Sequence, residues 1–348
     1  KFMSAQANFE FPAARQQQHL YKQRGNNGAC NWILFSFLGN LDQTVLEKQM
    51  MAYLDKEENL KVVLSSDERS KFPMQQIVNH PLVRFNFRQV GNEKEAQLAV
   101  AKEKQKGFLL SQKEALEFHC FSWNPSAHFF LITTSQFFSD YESLVQIAHA
   151  LNQFLQGKIM VQPEEEDALQ YIDFSEWQRE LFLEKADAGF AYWTTKNIST
   201  NSFQSIFKKA NEANLSSPQY ARFHKVLSPQ IMEKLPPLLQ DRGSSVQHFL
   251  MTIWWKLLFR YVNAPCSLCY RHHGRSHEAV QSIVGLFEKY LALPDALLKE
   301  EDSVWQLAAK IQEVVTQDED HQDCFDRNIG QRNASITFPY QLAFYPTP

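Results

Sequence analysis

Residues 116–155 read LEFHCFSWNPSAHFFLITTSQFFSDYESLVQIAHALNQFL. The stretch changes period twice. Residues 116–123 and 129–134 are apolar runs of strand length, parted by the turn signal Asn124-Pro125-Ser126. Residues 135–140 break that pattern. From 143 to 155, Leu144, Ile147, Ala148, Leu151 and Leu155 then fall on one helical stripe. Two adjacent strands, a loop and an amphipathic helix in this order predict an α/β architecture.

Working outward, residues 41–54 have helical spacing (Val45, Leu46, Met50, Met51, Leu54). Residues 83–90 alternate Val83, Phe85 and Phe87 with Arg84, Asn86 and Arg88, as a half-buried strand does, and 96–106 form a charged helix candidate. Downstream, the acidic run 162–168 is the best inter-lobe linker, and a helix is expected from about 174 to 186. Beyond a polar stretch at 197–217, a strand is expected at 220–227. Ser228, followed by Pro229, and Ser245 have the form of N-caps, the second opening the most apolar helix of the chain. A strand at 266–270, a helix at 304–315 and a final strand at 340–345 complete the reading. It gives two lobes, 1–168 and 169–348.

Composition limits what such a chain can do. Its 348 residues are 44% hydrophobic and 21% charged, enough for a sizeable core. Lys and Arg number 35 against 39 Asp and Glu, with no basic block, so no nucleic-acid footprint is present. The five cysteines predict a reducing compartment rather than a disulfide framework. No signal-peptide run or bilayer-spanning run is found, and a soluble, cytoplasmic, monomeric domain of a larger polypeptide is expected. Cys266-x-x-Cys269 followed by His272 and His273 has the letters of a metal cluster. On a predicted strand, however, alternate side chains face opposite ways, so no metal site is expected and the cysteines read as structural. Phe137-Phe138 and Trp254-Trp255 read as core. No phosphate loop, nucleophile elbow or metalloprotease motif occurs.

Taken in order, several segments resemble nonribosomal peptide synthetase condensation domains. Phe11-Pro12, Gln17, His19, Leu20 and Tyr21 are similar to the family's opening S-x-A-Q-x-R-L-W, and residues 54–61 resemble its R-H-x-x-L-R segment. Tyr171-Ile172-Asp173-Phe174-Ser175-Glu176-Trp177-Gln178-Arg179-Glu180 resembles Y-x-D-Y-A-x-W-Q-R-E, and Tyr192-Trp193 the pair downstream of it. Gly274-Arg275, then Val284-Gly285-Leu286-Phe287 with residues 291–294, resemble G-R and V-G-x-F-x-N-x-L-P-L. His321-Gln322-Asp323 is similar to the start of H-Q-D-Y-P-F, and residues 333–344 to the closing N-P-L-F-Q-V-x-F.

The resemblance implies two chloramphenicol-acetyltransferase-like lobes in a V around a tunnel. That tunnel would receive the phosphopantetheine arms of donor and acceptor carrier proteins, and the chemistry would be amine attack on a thioester. The domain itself would hold no cofactor. The family signature H-H-x-x-x-D-G falls here on Ser135-Gln136-Phe137-Phe138-Ser139-Asp140-Tyr141. Gln136 replaces the histidine that positions or deprotonates the amine, Ser135 replaces the first histidine, and Tyr141 replaces the glycine, narrowing the tunnel. Asp140 is retained in a structural role. Its arginine partner is expected at the early segment, where Lys61 stands, and Lys289 stands where V-G-x-F-x-N has asparagine. Trp177, Arg275 and Ser143 complete the framework positions.

A domain that keeps the framework but has lost ordinary peptide-bond formation is therefore expected, serving as a platform for carrier proteins or a tailoring enzyme. The alternative is altered chemistry of the heterocyclisation type, because Ser135-x-x-x-x-Asp140-x-x-Ser143 matches D-x-x-x-x-D-x-x-S at two of three positions. The family pattern also continues past residue 348, so the C-terminal lobe is expected to be shortened or continued elsewhere.

Overall fold

Helix starts in this chain are fixed by side-chain caps that satisfy otherwise orphaned backbone N–H groups. In the computed structural model, Asp42 Oδ1 accepts from Val45 N at 3.0 Å, Asn92 Oδ1 from Glu95 N at 2.9 Å and Asp140 Oδ1 from Ser143 N at 2.9 Å. Ser228 caps a helix with Pro at its first position, and Ser303 forms a capping box with Gln306. The structure describes residues 10–24, 27–28, 30–65, 72, 74–109, 114–158, 169–196, 198, 224–262, 266–325 and 341–345. Two compact units divide the chain, residues 1–181 with 273–288, and residues 182–272 with 289–347.

The first unit holds β1 (Glu10–Pro12), α1 (Arg15–Arg24), β2 (Asn27–Gly28), β3 (Cys30–Leu38), α2 (Gln43–Leu54), β4 (Val62–Ser65), β5 (Met74–Ile77), β6 (Val83–Gln89), α3 (Glu93–Lys106), β7 (Phe108–Leu109), β8 (Leu116–Asn124), β9 (Ala127–Ser135) and α4 (Tyr141–Leu155). Its main sheet has the order β3-β9-β8-β6. The hairpin β8–β9 is antiparallel, and β6 joins β8 in parallel after α3 crosses over. Both faces of the sheet are covered. Phe118, Phe130 and Ile132 pack with Leu46 and Met50 of α2 and Leu144, Ile147 and Leu151 of α4, while Phe121 and Leu131 pack with Ala96, Ala99 and Val100 of α3. Double coverage explains why β9 reads as an unbroken apolar run rather than an alternation.

α5 (Tyr171–Thr195) runs from the first unit into the second, which then holds α6 (Pro229–Asp241), α7 (Val246–Val262), β10 (Leu268–His272), β11 (Lys289–Leu293), α8 (Val304–Asp320) and β12 (Gln341–Leu342). Its sheet has the order β11-β10-β12. Leu268, Tyr270, Leu291 and Leu293 pack against Met251, Trp255 and Leu258 of α7 and Leu307 and Ile311 of α8. Cys266 and Cys269 remain thiols buried in this core. Trp255 is likewise buried, whereas Trp254 is 36% exposed, so only one of that pair fills the core.

Several elements differ from the sequence reading. The helix expected over 174–186 extends over the 25 residues of α5. Its buried side chains change partners along its length, Tyr171 and Phe174 in one core and Trp193 in the other, so no single stripe marks its full extent. The final strand shrinks to Gln341–Leu342. Residues 224–227 of the strand expected at 220–227 are not in a strand, and the rest of it lies outside the described residues, as do the linker candidate 162–168 and the polar stretch 199–217. Among the described residues no helix is long and apolar enough to cross a membrane.

Candidate functional site

β9 ends at Ser135 and α4 begins at Tyr141, so residues 135–140 form the loop between a strand and a capped helix. Three side-chain amides hold the loop by its carbonyls. Gln17 Nε2 donates to Phe137 O at 3.0 Å, Asn59 Nδ2 to Phe138 O at 2.5 Å, and Asn31 Nδ2 to Ser139 O at 3.0 Å. Ser135, 1% exposed, turns inward and its Oγ accepts from Phe137 N at 3.2 Å. Phe137 and Phe138 are core residues.

Gln136 is half-buried, and its Nε2 donates to Asn31 Oδ1 at 3.0 Å. Asn31 thus joins residue 136 to the far end of the loop. A glutamine amide has no nitrogen that accepts a proton near neutral pH, and residue 136 can orient a neighbour but not deprotonate it.

Asp140 is fully buried and fully partnered. Its Oδ1 accepts from Arg275 Nη2 at 2.9 Å, from Ser143 N and from Ser143 Oγ at 2.7 Å, while its Oδ2 accepts from the backbone N of Phe287 and Glu288 at 3.0 and 3.3 Å. Arg275, 4% exposed, fans its Nη1 over Val280 O and Ile283 O at 2.8 and 2.7 Å, and its guanidinium lies over the Phe287 ring at 4.0 Å. Ser143 Oγ sits between Asp140, Gly285 O at 2.9 Å, Gly285 N at 3.0 Å and Arg275. Its single proton goes to one of the two acceptors at a time. Gly285 is required here, because a Cβ would lie 2.0 Å from Tyr171 Cδ2.

The expectation that Lys61 stands in for the arginine paired with Asp140 is therefore corrected. Lys61 pairs with Asp55 at 3.1 Å, and Arg275 holds Asp140. A planar guanidinium serves the carboxylate from Nη2 and the two carbonyls from Nη1, a spread over two nitrogens that a single ammonium nitrogen lacks. Nearby Glu57 accepts weakly from Val284 N at 3.4 Å, and burial pushes its carboxyl up to about 7 against the pull of that amide and of Arg275.

Among the other framework positions, Tyr141 opens α4 half-buried, and Trp177, 39% exposed, packs its ring edge-to-face with His277 at 5.3 Å. Lys289 belongs to the second unit, where it pairs with Asp323 of the His321-Gln322-Asp323 segment at 2.7 Å. The same segment meets the Tyr192-Trp193 pair, since Trp193 Nε1 donates to His321 O at 2.8 Å and the Tyr192 ring lies 4.2 Å from that of His321. Asp318 ties this cluster together by accepting from Tyr192 and Tyr270 hydroxyls at 2.7 and 2.8 Å and from Lys196. The structure thus brings Ser135, Gln136, Asp140, Tyr141, Ser143 and Arg275 to one loop, with Lys61 and Lys289 in separate ion pairs. Sequence reading missed Asn31 and Asn59; the one available signal was Asn31, an amide at the head of an apolar run, whereas Asn59 follows Lys56, Glu57 and Glu58 and carries no such mark.

Comparison with known proteins gives this arrangement a family. The Condensation domain profile matches residues 17–325, and the chain belongs to that family. It is 25% identical over 300 residues to tyrocidine synthase 3 of Brevibacillus parabrevis, covering 81% of this chain and 4% of that protein. To a linear gramicidin synthase of the same organism it is 22% identical over 324 residues, covering 88% and 4%. The chain thus spans a small fraction of the curated relatives it matches. Among solved structures, the first condensation domain of the CDA synthetase superposes with a TM-score of 0.73 at 14% identity, covering 98% of this chain and 81% of that one. The X-domain from teicoplanin biosynthesis gives 0.73 at 16%, covering 98% and 78%. The same X-domain in complex with OxyB gives 0.64 at 15%, covering 92% and 72%. The mixed α/β fold is that of condensation domains, of the chloramphenicol-acetyltransferase-like type.

Proposed function

We propose that this chain is a condensation-type component of a nonribosomal peptide or hybrid polyketide assembly line. In it the loop 135–140 supports docking and positioning rather than ordinary peptide-bond formation. The observation that carries this reading is Gln136, an amide tied to Asn31 where a proton acceptor would stand. Absence of a general base typically lowers such a rate by ~10²–10⁴-fold. The framework that holds the loop is intact, with Asp140 and Ser143 both bonded to Arg275 and to each other. The partners of this reading are donor and acceptor carrier proteins bearing phosphopantetheine arms, or a tailoring enzyme. The teicoplanin X-domain, found in complex with OxyB, supports the second.

The alternative, heterocyclisation-type chemistry, needs Asp140 and Ser143 presented to substrate. Both are buried and occupied by Arg275, Gly285 and each other, which favours the platform. The test offers the chain to carrier proteins loaded with donor and acceptor aminoacyl groups, reading both binding and product mass. Saturable carrier binding with no product is the expected result. A cyclised cysteine or serine product would overturn the platform, and no carrier binding at all would overturn its carrier-protein form.

A further inference from the structure

The amides that join β3 to the loop 135–140 have a fixed direction. Asn31 lies on β3 opposite Thr134 of β9, and Ile33 and Phe35, which share its face, pack against the core, so its side chain starts from a pinned backbone. Its Nδ2 donates to Ser139 O at 3.0 Å. A backbone carbonyl only accepts, so the nitrogen of Asn31 must point at Ser139 and its Oδ1 must point elsewhere. That oxygen meets Gln136 at 3.0 Å, which requires the Gln136 amide to present Nε2. One backbone carbonyl thus sets the direction of both amides, and a flip of either would put two acceptors face to face.

The consequence falls on the other end of Gln136. Among the described residues its side chain makes no further hydrogen bond, so Oε1 is the atom left for a bound group. Every other residue of the loop 135–140 is buried, Phe138 being the most open at 5%. The loop therefore offers one uncharged acceptor oxygen. We propose that Asn31 is the positioning residue of this loop. By holding Gln136 Nε2 it commits Oε1 outward, and the loop selects a carrier-borne group ending in an N–H hydrogen-bond donor, an ammonium above all, over an isosteric apolar one.

The probes are two free arms, pantetheine carrying a glycyl or a propionyl group through an amide in place of the thioester, so that neither group can be transferred. One ends in an ammonium where the other has a methyl group. Both are titrated into the full chain at about pH 7, where an α-amine is largely protonated. The readout is the backbone amide resonances of Phe137 and Ser139. A free arm is expected to bind in the millimolar range, roughly 1–10 mM. The glycyl arm should bind about tenfold tighter than the propionyl arm, as for one hydrogen bond to a charged group. Gln136→Met, which keeps the side chain's length without its oxygen, should bring that ratio to about one. Asn31→Ala, which frees the amide to present either end, should lower it to about threefold through lost preorganisation. An Asn31 that merely supports the fold would weaken both arms alike and leave the ratio standing. This role rests on the loop positioning a carrier-borne group but not on carrier docking, which free arms do not need, so loss of carrier binding and loss of the ratio are separate results. Equal binding of the two arms by the wild-type chain, a ratio unchanged in Asn31→Ala, or no binding of either arm up to about 50 mM would overturn the proposal.

Discussion

Arg275 reaches Asp140 where neither group is open to solvent, so each is stable only in the other's presence. Arg275→Ala leaves a buried carboxylate uncompensated and is expected to cost about 3–5 kcal/mol in urea unfolding. Arg275→Lys should recover only part of this, since one ammonium nitrogen would replace the two, Nη1 and Nη2, that serve the carbonyls and Asp140. A loss below about 1 kcal/mol for the alanine variant, the range of exposed pairs, would contradict the network. Gly285→Ala places a methyl group into the Tyr171 ring, which donates its own hydroxyl to Leu286 O at 2.7 Å. The ring cannot step aside without breaking that bond, so overpacking of about 1–3 kcal/mol is expected from the same measurement. A glycine-to-alanine change that raises stability would show that the ring yields.

At the scale of elements, the turn between α2 and β4 carries a pH response through Glu57. Its carboxyl titrates near 7 in the folded chain, above the ordinary carboxylate value, so the folded state binds the proton more tightly than the unfolded state does. The resulting stabilisation is present below the unfolded value and is lost as pH rises through about 7. Glu57→Gln should therefore flatten the stability profile between about pH 5 and pH 8, by on the order of 2–3 kcal/mol. A wild-type profile that rises over this interval relative to the variant would reverse the assignment.

Element types followed from local signals where caps and stripes were strong, as for α2, α4, α7 and the hairpin β8–β9. β3 and β11 were not anticipated. Cys30–Leu38 is apolar with only weak alternation, and its strand character comes from antiparallel pairing with β9 along its whole length, which no local pattern encodes. The site divides the same way. Residues 135–143 were legible as a loop and cap, whereas the guanidinium partner of Asp140 lies 135 positions away and depends on how the 273–288 segment returns to the first unit. Carrying a pairing over from a motif chose Lys61; the geometry chose Arg275.

For the whole molecule, a chain of the condensation-domain family carries a loop, 135–140, whose one side chain that is not buried, Gln136, donates a hydrogen bond to Asn31. An imidazole at 135 would have to enter the core, because Ser135 is buried, whereas residue 136 is only half-buried. Gln136→His alone is thus the informative substitution. The direct measurement is the amount of amide product, by intact mass, when donor- and acceptor-loaded carrier proteins meet the wild-type chain, Gln136→Ala and Gln136→His. The account predicts wild type and Gln136→Ala indistinguishable from the protein-free background, with Gln136→His rising about 10²-fold or more above both. Amide formation by the wild-type chain well above background, abolished in Gln136→Ala, would contradict it.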